Sequence, residues 1–522
     1  NYNVVVGDEA GTALTTGDGN VAVGYQALKT EDANGESTAL GYRALMTQNA
    51  GAAAYNVAVG YDTGLDLTTG VRNTLLGTFA GSNITSGGSN VAIGYNSLGT
   101  EDGHGFNTAV GYQTLKFLNA GADAYNVAVG YQAGLNVTTG IDNVLIGGLA
   151  GDALTDADMN VAVGKNALGS DTLGSMSVAI GNGALTTQNF TTATNTYNIG
   201  IGQGAGSSIT TGIHNTLIGG LAGDALTDAD FNIAIGKGAL GTDTLGSSSI
   251  AIGEGALLNQ NFTTATATYN VAIGHAAGNQ VTTGTFNTFL GGLAGDAHTT
   301  ADHNTALGLG AMSTNTQGNK NTAVGSNALS DFNVGTDTDT FNTAVGFSAG
   351  TAVTTGVNNT LIGGLAGDAL TDADANVALG AFALGADTLG SKSVAIGDSA
   401  LATQNFTTAT DSHNVAVGFS AGNDITTGIQ NVFIGALAGD ALTDADFNTA
   451  VGYGALSSDT LGNRNVAVGT NALATQNFTT ATNAYNTAVG ESAGVSITTG
   501  AQNDLFGGLA GDALTDADYN VA

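Results

Sequence analysis

The chain has 522 residues and a formal net charge of −33, from 42 acidic and nine basic residues. This charge argues against binding to nucleic acid or insertion into an anionic membrane surface. The chain has no cysteine, and therefore no disulfide framework or thiol chemistry, and it has no proline, which fits a backbone hydrogen-bonded along nearly its whole length. No apolar stretch is long enough to span a membrane.

A pentapeptide of the type Asn20-Val-Ala-Val-Gly24 recurs along the whole chain and is numbered here from its Asn, or from the Ser that replaces it, as position 0. Successive starts are mostly 17 residues apart, every fourth spacing is 19 or 21, and the resulting superunits are 70–72 residues long. Short repeats stack in one dimension without domain boundaries. We therefore expect residues 1–522 to be one continuous segment of a longer repetitive fibre protein, without separate domains.

Positions 0 to 4 predict the local structure of each repeat. Positions 1 to 3 favour a β-strand whose two faces are both apolar, and a glycine follows at position 4. The period predicts an all-β parallel β-solenoid with one repeat per coil. The Asn residues are expected to form a hydrogen-bonded ladder and the glycines to form tight corners. The representative structural residues are Asn20, Gly24, Asn126, Gly130, Asn232, Gly236, Asn414 and Gly418.

Position 2 nearly always carries Ala or a larger apolar residue such as Leu75, Leu217 or Phe289. If position 3 fills the interior of the coil, position 2 leaves an apolar stripe on the outside. A soluble monomer rarely exposes such a stripe. We therefore expect a homo-oligomer, with a trimer around a common axis favoured. The alternative is a wide single-chain filament with both strand faces inside.

The second repeat of most superunits ends in the acidic segment Thr-Asp-Ala-Asp, with Thr299-Thr-Ala-Asp302 as a weakened copy. Carboxylates at alternate positions can supply oxygen ligands to calcium, although a solvated acidic turn explains the same pattern and the known calcium-loop motifs are absent. Calcium is the only cofactor that the sequence suggests. The candidate ligands are Asp156, Asp158, Asp228, Asp230, Asp372, Asp374, Asp444 and Asp446.

The fourth repeat of most superunits is lengthened by Gln-Asn-Phe-Thr-Thr-Ala-Thr. Insertions in solenoids often emerge on a binding face, so these segments are candidate contact loops. The equal alternative is that their phenylalanines pack back onto the coil. The residues concerned are Phe190, Phe262, Phe406 and Phe478.

Catalysis has no support in the sequence, and we expect the protein not to be an enzyme. The six histidines fall at unrelated repeat positions. Runs such as Gly202-Gln-Gly-Ala-Gly206 are products of the repeat, because no strand–helix context for a nucleotide loop surrounds them.

The copies Ser177-Val-Ala-Ile-Gly181 and Ser393-Val-Ala-Ile-Gly397 resemble the head repeats of trimeric autotransporter adhesins of the YadA type. Copies such as Asn20-Val-Ala-Val-Gly-Tyr-Gln-Ala-Leu28 also resemble repeats of phage tail fibres and other surface fibres. The resemblance implies a left-handed parallel β-roll and three chains wound side by side outside a cell or on a virion. This chain departs from the family pattern in its longer repeat.

These observations predict a structural extracellular fibre or adhesin shaft that mediates surface attachment or forms a matrix or filament. The alternative is a receptor- or glycan-binding adhesin head, or a phage tail fibre, that acts through the insertions. The expected partners are further copies of the chain and a host-surface or matrix component. The expected location is extracellular, on a cell surface or on a virion.

Overall fold

The computed structural model describes residues 2–33 and 35–522, and these residues form an all-β structure without a helix. The fold is a parallel β-solenoid of about 30 turns spaced by about 17 residues, which confirms the predicted fold class. The chain divides into two compact units, Asn1–Thr268 and Tyr269–Ala522. The expectation of a single continuous domain stays a prediction.

In the first unit, each coil contributes a three-residue strand that occupies positions 1 to 3. Neighbouring strands are parallel and in register, so that Val161 lies between Val144 and Val178. The strands are Val4–Val6, Val21–Val23, Thr38–Leu40, Val57–Val59, Thr74–Leu76, Val91–Ile93, Thr108–Val110, Val127–Val129, Val144–Ile146, Val161–Val163, Val178–Ile180, Ile199–Ile201, Thr216–Ile218, Ile233–Ile235 and Ile250–Ile252.

The second unit repeats this arrangement, with Val377 in register between Thr360 and Val394. Its strands are Val271–Ile273, Thr288–Leu290, Thr305–Leu307, Thr322–Val324, Thr343–Val345, Thr360–Ile362, Val377–Leu379, Val394–Ile396, Val415–Val417, Val432–Ile434, Thr449–Val451, Val466–Val468, Thr487–Val489 and Asp504–Phe506.

The glycine at position 4 ends each strand at a corner that a side chain cannot occupy. Gly236 has a φ of 132°, and a Cβ atom on it would lie 2.5 Å from the carbonyl oxygen of Gly253 in the next coil. L-residues rarely adopt this φ, and the next coil leaves no room for Cβ. Gly24, Gly130 and Gly418 occupy equivalent corners, with φ values of 133°, 140° and 147°.

The Asn residues at position 0 form a hydrogen-bonded ladder along the coils. The Asn126 side-chain amide donates to the carbonyl of Gly140 in its own coil (2.9 Å), and its Oδ1 accepts the N–H of Asn143 in the next coil (2.9 Å). Asn232 and Asn414 donate to equivalent carbonyls at 3.0 and 2.7 Å. Asn20 accepts the N–H of Ser37 at 3.1 Å. Each Asn therefore closes its own coil and joins it to the next.

The interpretation of position 2 as an outward stripe is wrong. Ala22, Leu75 and Phe289 are fully buried inside their coils. Positions 1 and 3 point outward instead, as shown by the half-buried Val21 and Val23 on either side of Ala22. Both strand faces are apolar, so their alternation could not show which face points into the coil.

Positions 2 and 8 together fill the interior of the coil. Leu145 at position 2 occupies the space beside two glycines at position 8, because a Cβ atom on Gly134 or Gly151 would lie 2.7 Å from one of its methyl carbons. In the next coil the sizes are exchanged, with Ala162 at position 2 and Leu168 at position 8, both fully buried. This exchange of large and small residues distinguishes the coils of a superunit.

The insertions are integrated into the solenoid through additional two-residue strands. Gly174–Ser175 in one coil pairs in parallel with Thr194–Asn195 in the insertion of the next. The other such strands are Gly246–Ser247 and Thr266–Ala267 in the first unit, and Gly318–Asn319, Thr338–Asp339, Gly390–Ser391, Thr410–Asp411, Gly462–Asn463 and Thr482–Asn483 in the second.

Candidate functional site

The outer face of the parallel sheet is an extended apolar surface in each unit. It consists of the side chains at positions 1 and 3, mostly Val, Ile, Leu and Thr. In the first unit Leu40 and Leu76 are 44% and 45% exposed, and in the second Leu379 and Ile434 are 43% and 41% exposed. Because the same two columns recur on every coil, the face is a long apolar ladder in each unit.

A row of aromatic rings lies directly after the strands near the start of the first unit. Tyr42 stacks on Tyr25 and Tyr61 with ring centroids 5.1 and 4.8 Å apart. The contacts continue along the stack to a final stacked pair, Tyr112 and Tyr131, at 5.4 Å. Stacked rings cover each other's faces and leave their edges to solvent. The stacked members of this row therefore stabilise coil stacking, whereas Phe79 meets Tyr61 and Tyr95 edge-on.

A second aromatic column precedes the strands at the residue before position 0. In the first unit His214 stacks between Tyr197 and Phe231, at 5.3 and 5.0 Å. In the second unit Phe286 stacks on His303 at 4.8 Å. Tyr197 and Phe231 are about half-exposed. The column widens the apolar surface next to the outer face.

The insertion phenylalanines face inward. Phe190, Phe262, Phe406 and Phe478 are only 5–7% exposed. Phe406 and Phe478 pack near the glycine at position 14 of the preceding coil: a Cβ atom on Gly390 or Gly462 would lie 2.7 or 2.9 Å from the ring. The structure therefore favours the interpretation in which these side chains pack back. The exposed part of each loop is its Thr-Thr-Ala segment, at residues 191–193 in the first copy.

The proposed calcium ligands already accept hydrogen bonds from the preceding coil. Asp228 accepts the hydroxyl of Thr211 at 2.7 Å, and Asp230 accepts the N–H of Ile213 at 2.8 Å. Within residues 2–33 and 35–522, none of these aspartates gathers two further His, Cys, Asp or Glu ligands within 4.8 Å. Calcium binding at these segments stays a hypothesis, and the solvated acidic turn accounts for the observed contacts.

A buried polar network crosses from the third to the fourth coil of a superunit. The Gln188 amide donates to the Asp171 carboxylate at 2.6 Å and to the Ser177 hydroxyl at 2.9 Å, while its oxygen accepts from Asn198 at 2.9 Å. The other Asp171 oxygen accepts the N–H of Phe190 at 3.1 Å. The same acid–Gln contact recurs in Glu31–Gln48, Asp243–Gln260, Asp387–Gln404 and Asp459–Gln476.

This network was not predicted, although the sequence carries a signal for it. The acid and the Gln both lie at position 11, in consecutive coils, where most other coils have Leu, Ile or Val. Each of the four coils that begin with Ser instead of Asn also carries the Gln, as Ser177 and Gln188 show. The small Ser leaves room for the long amide, whose two donors meet the acid and the Ser hydroxyl.

Burial raises the pKa of several aspartates. It raises the pKa of Asp387 and Asp459 in the buried network, although the hydrogen bonds from Gln and backbone N–H groups act in the opposite direction. Burial also raises the pKa of an aspartate at position 9 of five coils, at 72-residue intervals. These residues are Asp152, Asp224, Asp296, Asp368 and Asp440.

We expect these aspartates to make the protein more stable as the pH falls from neutral towards about 4, against the opposite contribution of the buried His298, whose pKa burial lowers to about 3. The folded chain binds these protons more tightly than the unfolded chain, so stability increases as the pH drops through the raised pKa values. Thermal melts at constant ionic strength measure the sum of these contributions. Asn at the five position-9 aspartates should flatten the gain in stability at falling pH more than Asn at five exposed aspartates, Asp156, Asp228, Asp372, Asp444 and Asp516. Equal flattening would contradict the role of burial, because both variants remove the same formal charge.

Comparison with protein-family models found no match, and comparison with curated proteins found no similar sequence. The resemblance to autotransporter head repeats and fibre repeats therefore stays a prediction. Within the described part of the chain, no helix is long and apolar enough to cross a membrane.

Proposed function

We propose that this protein is a structural fibre element, an extracellular fibre or adhesin shaft, whose coils stack along the chain and whose outer sheet face packs against other copies. The observation that carries the proposal is the apolar ladder at positions 1 and 3, which recurs on the coils of both units. The proposal assigns no catalytic activity to the chain.

The occupant that fits this face best is a second copy of the same chain. Monomeric proteins rarely expose apolar patches larger than a few hundred Å². A repeated ladder with one rung per strand, at about 4.8 Å, matches another ladder of the same period. Identical copies bring that match without a separate partner, and closed symmetry limits the number of copies. A trimer, with each face turned towards a common axis, remains the arrangement that we favour.

The charge of the chain supports a limited assembly over open aggregation. The outer face is poor in charge, whereas exposed aspartates such as Asp156, Asp228 and Asp444 lie in the acidic turns away from the strands. With a net charge of −33, surfaces that carry these turns repel each other. Contact between copies is therefore confined to the uncharged face. An extracellular or cell-surface location fits a reach-extending shaft of this kind.

The second candidate function is a receptor- or glycan-binding adhesin head that acts through the insertions. Its support is the exposed Thr-Thr-Ala segment of each insertion, at residues 191–193, 263–265, 407–409 and 479–481. Repeated weak contacts at a fixed spacing give avidity. Trimming the insertions to the length of the other coils would abolish binding by such a head and would leave assembly of a shaft intact.

Assembly can be tested with two lysine substitutions on the outer face. Ile199→Lys and Ile233→Lys lie at position 1 of two strands separated by a third, so the new charges are not direct neighbours. We expect the unmodified chain to show a mass that is a multiple of 51.1 kDa in sedimentation or light scattering. The variant should shift towards 51.1 kDa with an unchanged circular dichroism spectrum.

The matched control places the same charges outside that face. Thr192→Lys and Thr264→Lys lie in the exposed segments of two insertions of the same unit. They should leave the mass unchanged. A monomeric unmodified chain, or an equal loss of assembly in both variants, would contradict the proposal that the outer face joins the copies.

A further inference from the structure

Among the acidic residues at position 11, only Glu101 has no Gln at position 11 of the next coil. It is fully buried, like Asp171 and Asp243 in equivalent coils. The next coil presents Leu118 where the other networks present a Gln. As a result, Oε2 of Glu101 is buried without a hydrogen-bond partner. Burial also raises the pKa of Glu101. An unpaired oxygen of a buried carboxylate is costly unless another group satisfies it.

Two further differences bring an imidazole to this carboxylate. Position 14 is a glycine in the four coils that carry Asp at position 11, and a Cβ atom on Gly174 would lie 2.1 Å from the Asp171 carboxylate. In the Glu101 coil this position is His104. The insertion residue that packs over the glycine is also smaller here, with Ala120 in place of the Phe190 type. The smaller residue and the missing Gln leave space for the His104 ring.

The His104 ring nitrogen lies close to the Glu101 carboxylate without forming a hydrogen bond to it. Nδ1 of His104 lies 3.3 Å from Oε1 of Glu101, yet Nδ1 is buried and has no hydrogen-bond partner. The neighbouring Asp102 carboxylate completes a group in which one ligand atom from each residue lies within 4.8 Å of the others. Within residues 2–33 and 35–522, it is the only such group of three His, Cys, Asp or Glu side chains.

We propose that Glu101, Asp102 and His104 form a binding site for a divalent transition metal of the zinc class. One ion would engage the free Glu101 oxygen and His104 Nδ1 together, whereas an ion pair between the two side chains would leave Oε2 unpaired. Imidazole with two carboxylates is a ligand set that Zn²⁺ and Co²⁺ accept, and calcium prefers oxygen ligands alone. Three protein ligands leave a further coordination position for water.

The site occurs once in the described chain and does not depend on assembly. The glutamine, the glycine and the insertion phenylalanine are all replaced in the same pair of coils. In the coils of Asp171, Asp243, Asp387 and Asp459 all three are present, and the carboxylate is satisfied by protein donors alone. Those four coils are therefore internal comparisons for the proposed site, because their buried carboxylates need no further partner.

Cobalt titration of the full chain tests the proposal, because bound Co²⁺ absorbs visible light. We expect saturation at one equivalent and displacement by Zn²⁺. His104→Gly and Glu101→Gln should each weaken binding by about tenfold or more. His104→Gly restores the glycine of the equivalent coils and should fold, which circular dichroism can check. The control His413→Ala, at an exposed histidine of the second unit, should bind as the unmodified chain does.

Three results would overturn the proposal. One is the absence of stoichiometric Co²⁺ or Zn²⁺ binding by the folded chain. Another is binding that is unchanged in His104→Gly, which would place the metal elsewhere. The third is tighter binding of Ca²⁺ than of Zn²⁺, since an imidazole-containing site has the opposite preference.

Discussion

Replacement of Gly236 by valine is expected to open the coils on both sides of the corner. The φ of 132° is unfavourable for a β-branched residue, and the new Cβ would lie 2.5 Å from the backbone carbonyl of Gly253. Backbone strain alone costs about 1–3 kcal/mol, and relief of the clash must move a strand. Hydrogen exchange should therefore accelerate in Ile233–Ile235 and Ile250–Ile252, while distant coils keep their protection because a solenoid is stabilised mainly by contacts between neighbours.

Gly220→Val is the matched control for this experiment. Gly220 lies in the preceding coil, directly after a corner glycine, and a Cβ atom on it would meet nothing within 4 Å. The same change of residue should therefore leave hydrogen exchange nearly unaltered. Unchanged protection in Gly236→Val, or equal disruption by both variants, would contradict the role of position 4 as a corner closed to side chains.

Gln404→Leu is expected to destabilise the coils of Asp387 and Gln404 by about 3 kcal/mol, because it leaves the buried Asp387 carboxylate without its side-chain partner. The Gln404 amide donates to Asp387 at 2.5 Å, and leucine leaves that carboxylate oxygen without its side-chain donor. The other oxygen still accepts the N–H groups of Gly390 and Phe406, at 3.0 and 3.1 Å. The variant also removes the Gln404 contacts with Ser393 and Asn414. However, Ser393 keeps its contact with Ser412, and Asn414 keeps its bond to the Gly428 carbonyl. The main loss therefore comes from the unsatisfied carboxylate oxygen.

The effect of Asp387→Asn on stability should have opposite signs in the unmodified chain and in the Gln404→Leu variant. Beside Gln404, the new amide group meets the Gln404 amide, donor against donor. If the Gln404 amide group rotates to avoid this contact, its nitrogen faces the Asn414 amide. In the unmodified chain Asn414 donates to the Gln404 oxygen at 2.8 Å. In the Gln404→Leu background, the neutral side chain removes the buried charge that the leucine leaves unpaired. Asp387→Asn should thus destabilise the unmodified chain and stabilise the Gln404→Leu variant.

One superunit of the chain already has the side-chain arrangement that we expect for the Asp387→Asn, Gln404→Leu double variant. Asn315 takes the place of the acid in one superunit, and the next coil presents the apolar Phe332. There the Asn315 side chain accepts the N–H of Gly318 at 2.8 Å and donates to its carbonyl at 2.7 Å. Local opening free energies from hydrogen exchange in Val394–Ile396 would measure all four members of the cycle. An effect of the same sign in both backgrounds would contradict the proposed network.

The repeat length, the corner glycines and the Asn ladder could be predicted because each has a local cause. A glycine on every coil and an Asn that can bond along a stack leave few alternative structures, as Gly236 and Asn126 show. The direction of position 2 could not be predicted, because Val at positions 1 and 3 and Ala or Leu at position 2 are all apolar. The deciding fact is volume: Leu145 fills the space beside glycines in two coils, which requires the coils to be aligned first.

The buried side chains were missed for a related reason. Asp171 and Gln188 are 17 residues apart, and their contact becomes visible only when position 11 is compared between coils. The Thr-Asp-Ala-Asp segments are conspicuous in the sequence because they repeat, but their side chains contact the preceding coil. Glu101 and His104 are inconspicuous because each occurs only once in this arrangement. In a repetitive chain, a departure from the repeat at buried positions is the more informative signal.

Electron cryo-microscopy of the assembled full chain in cross-section would test the central claim most directly. The account predicts several copies around an axis, with the position 1 and position 3 side chains of each outer face, such as Ile233 and Ile235, packed against a neighbouring copy. A cross-section that contains a single copy, or copies joined through the acidic turns while the apolar face stays open to solvent, would contradict it.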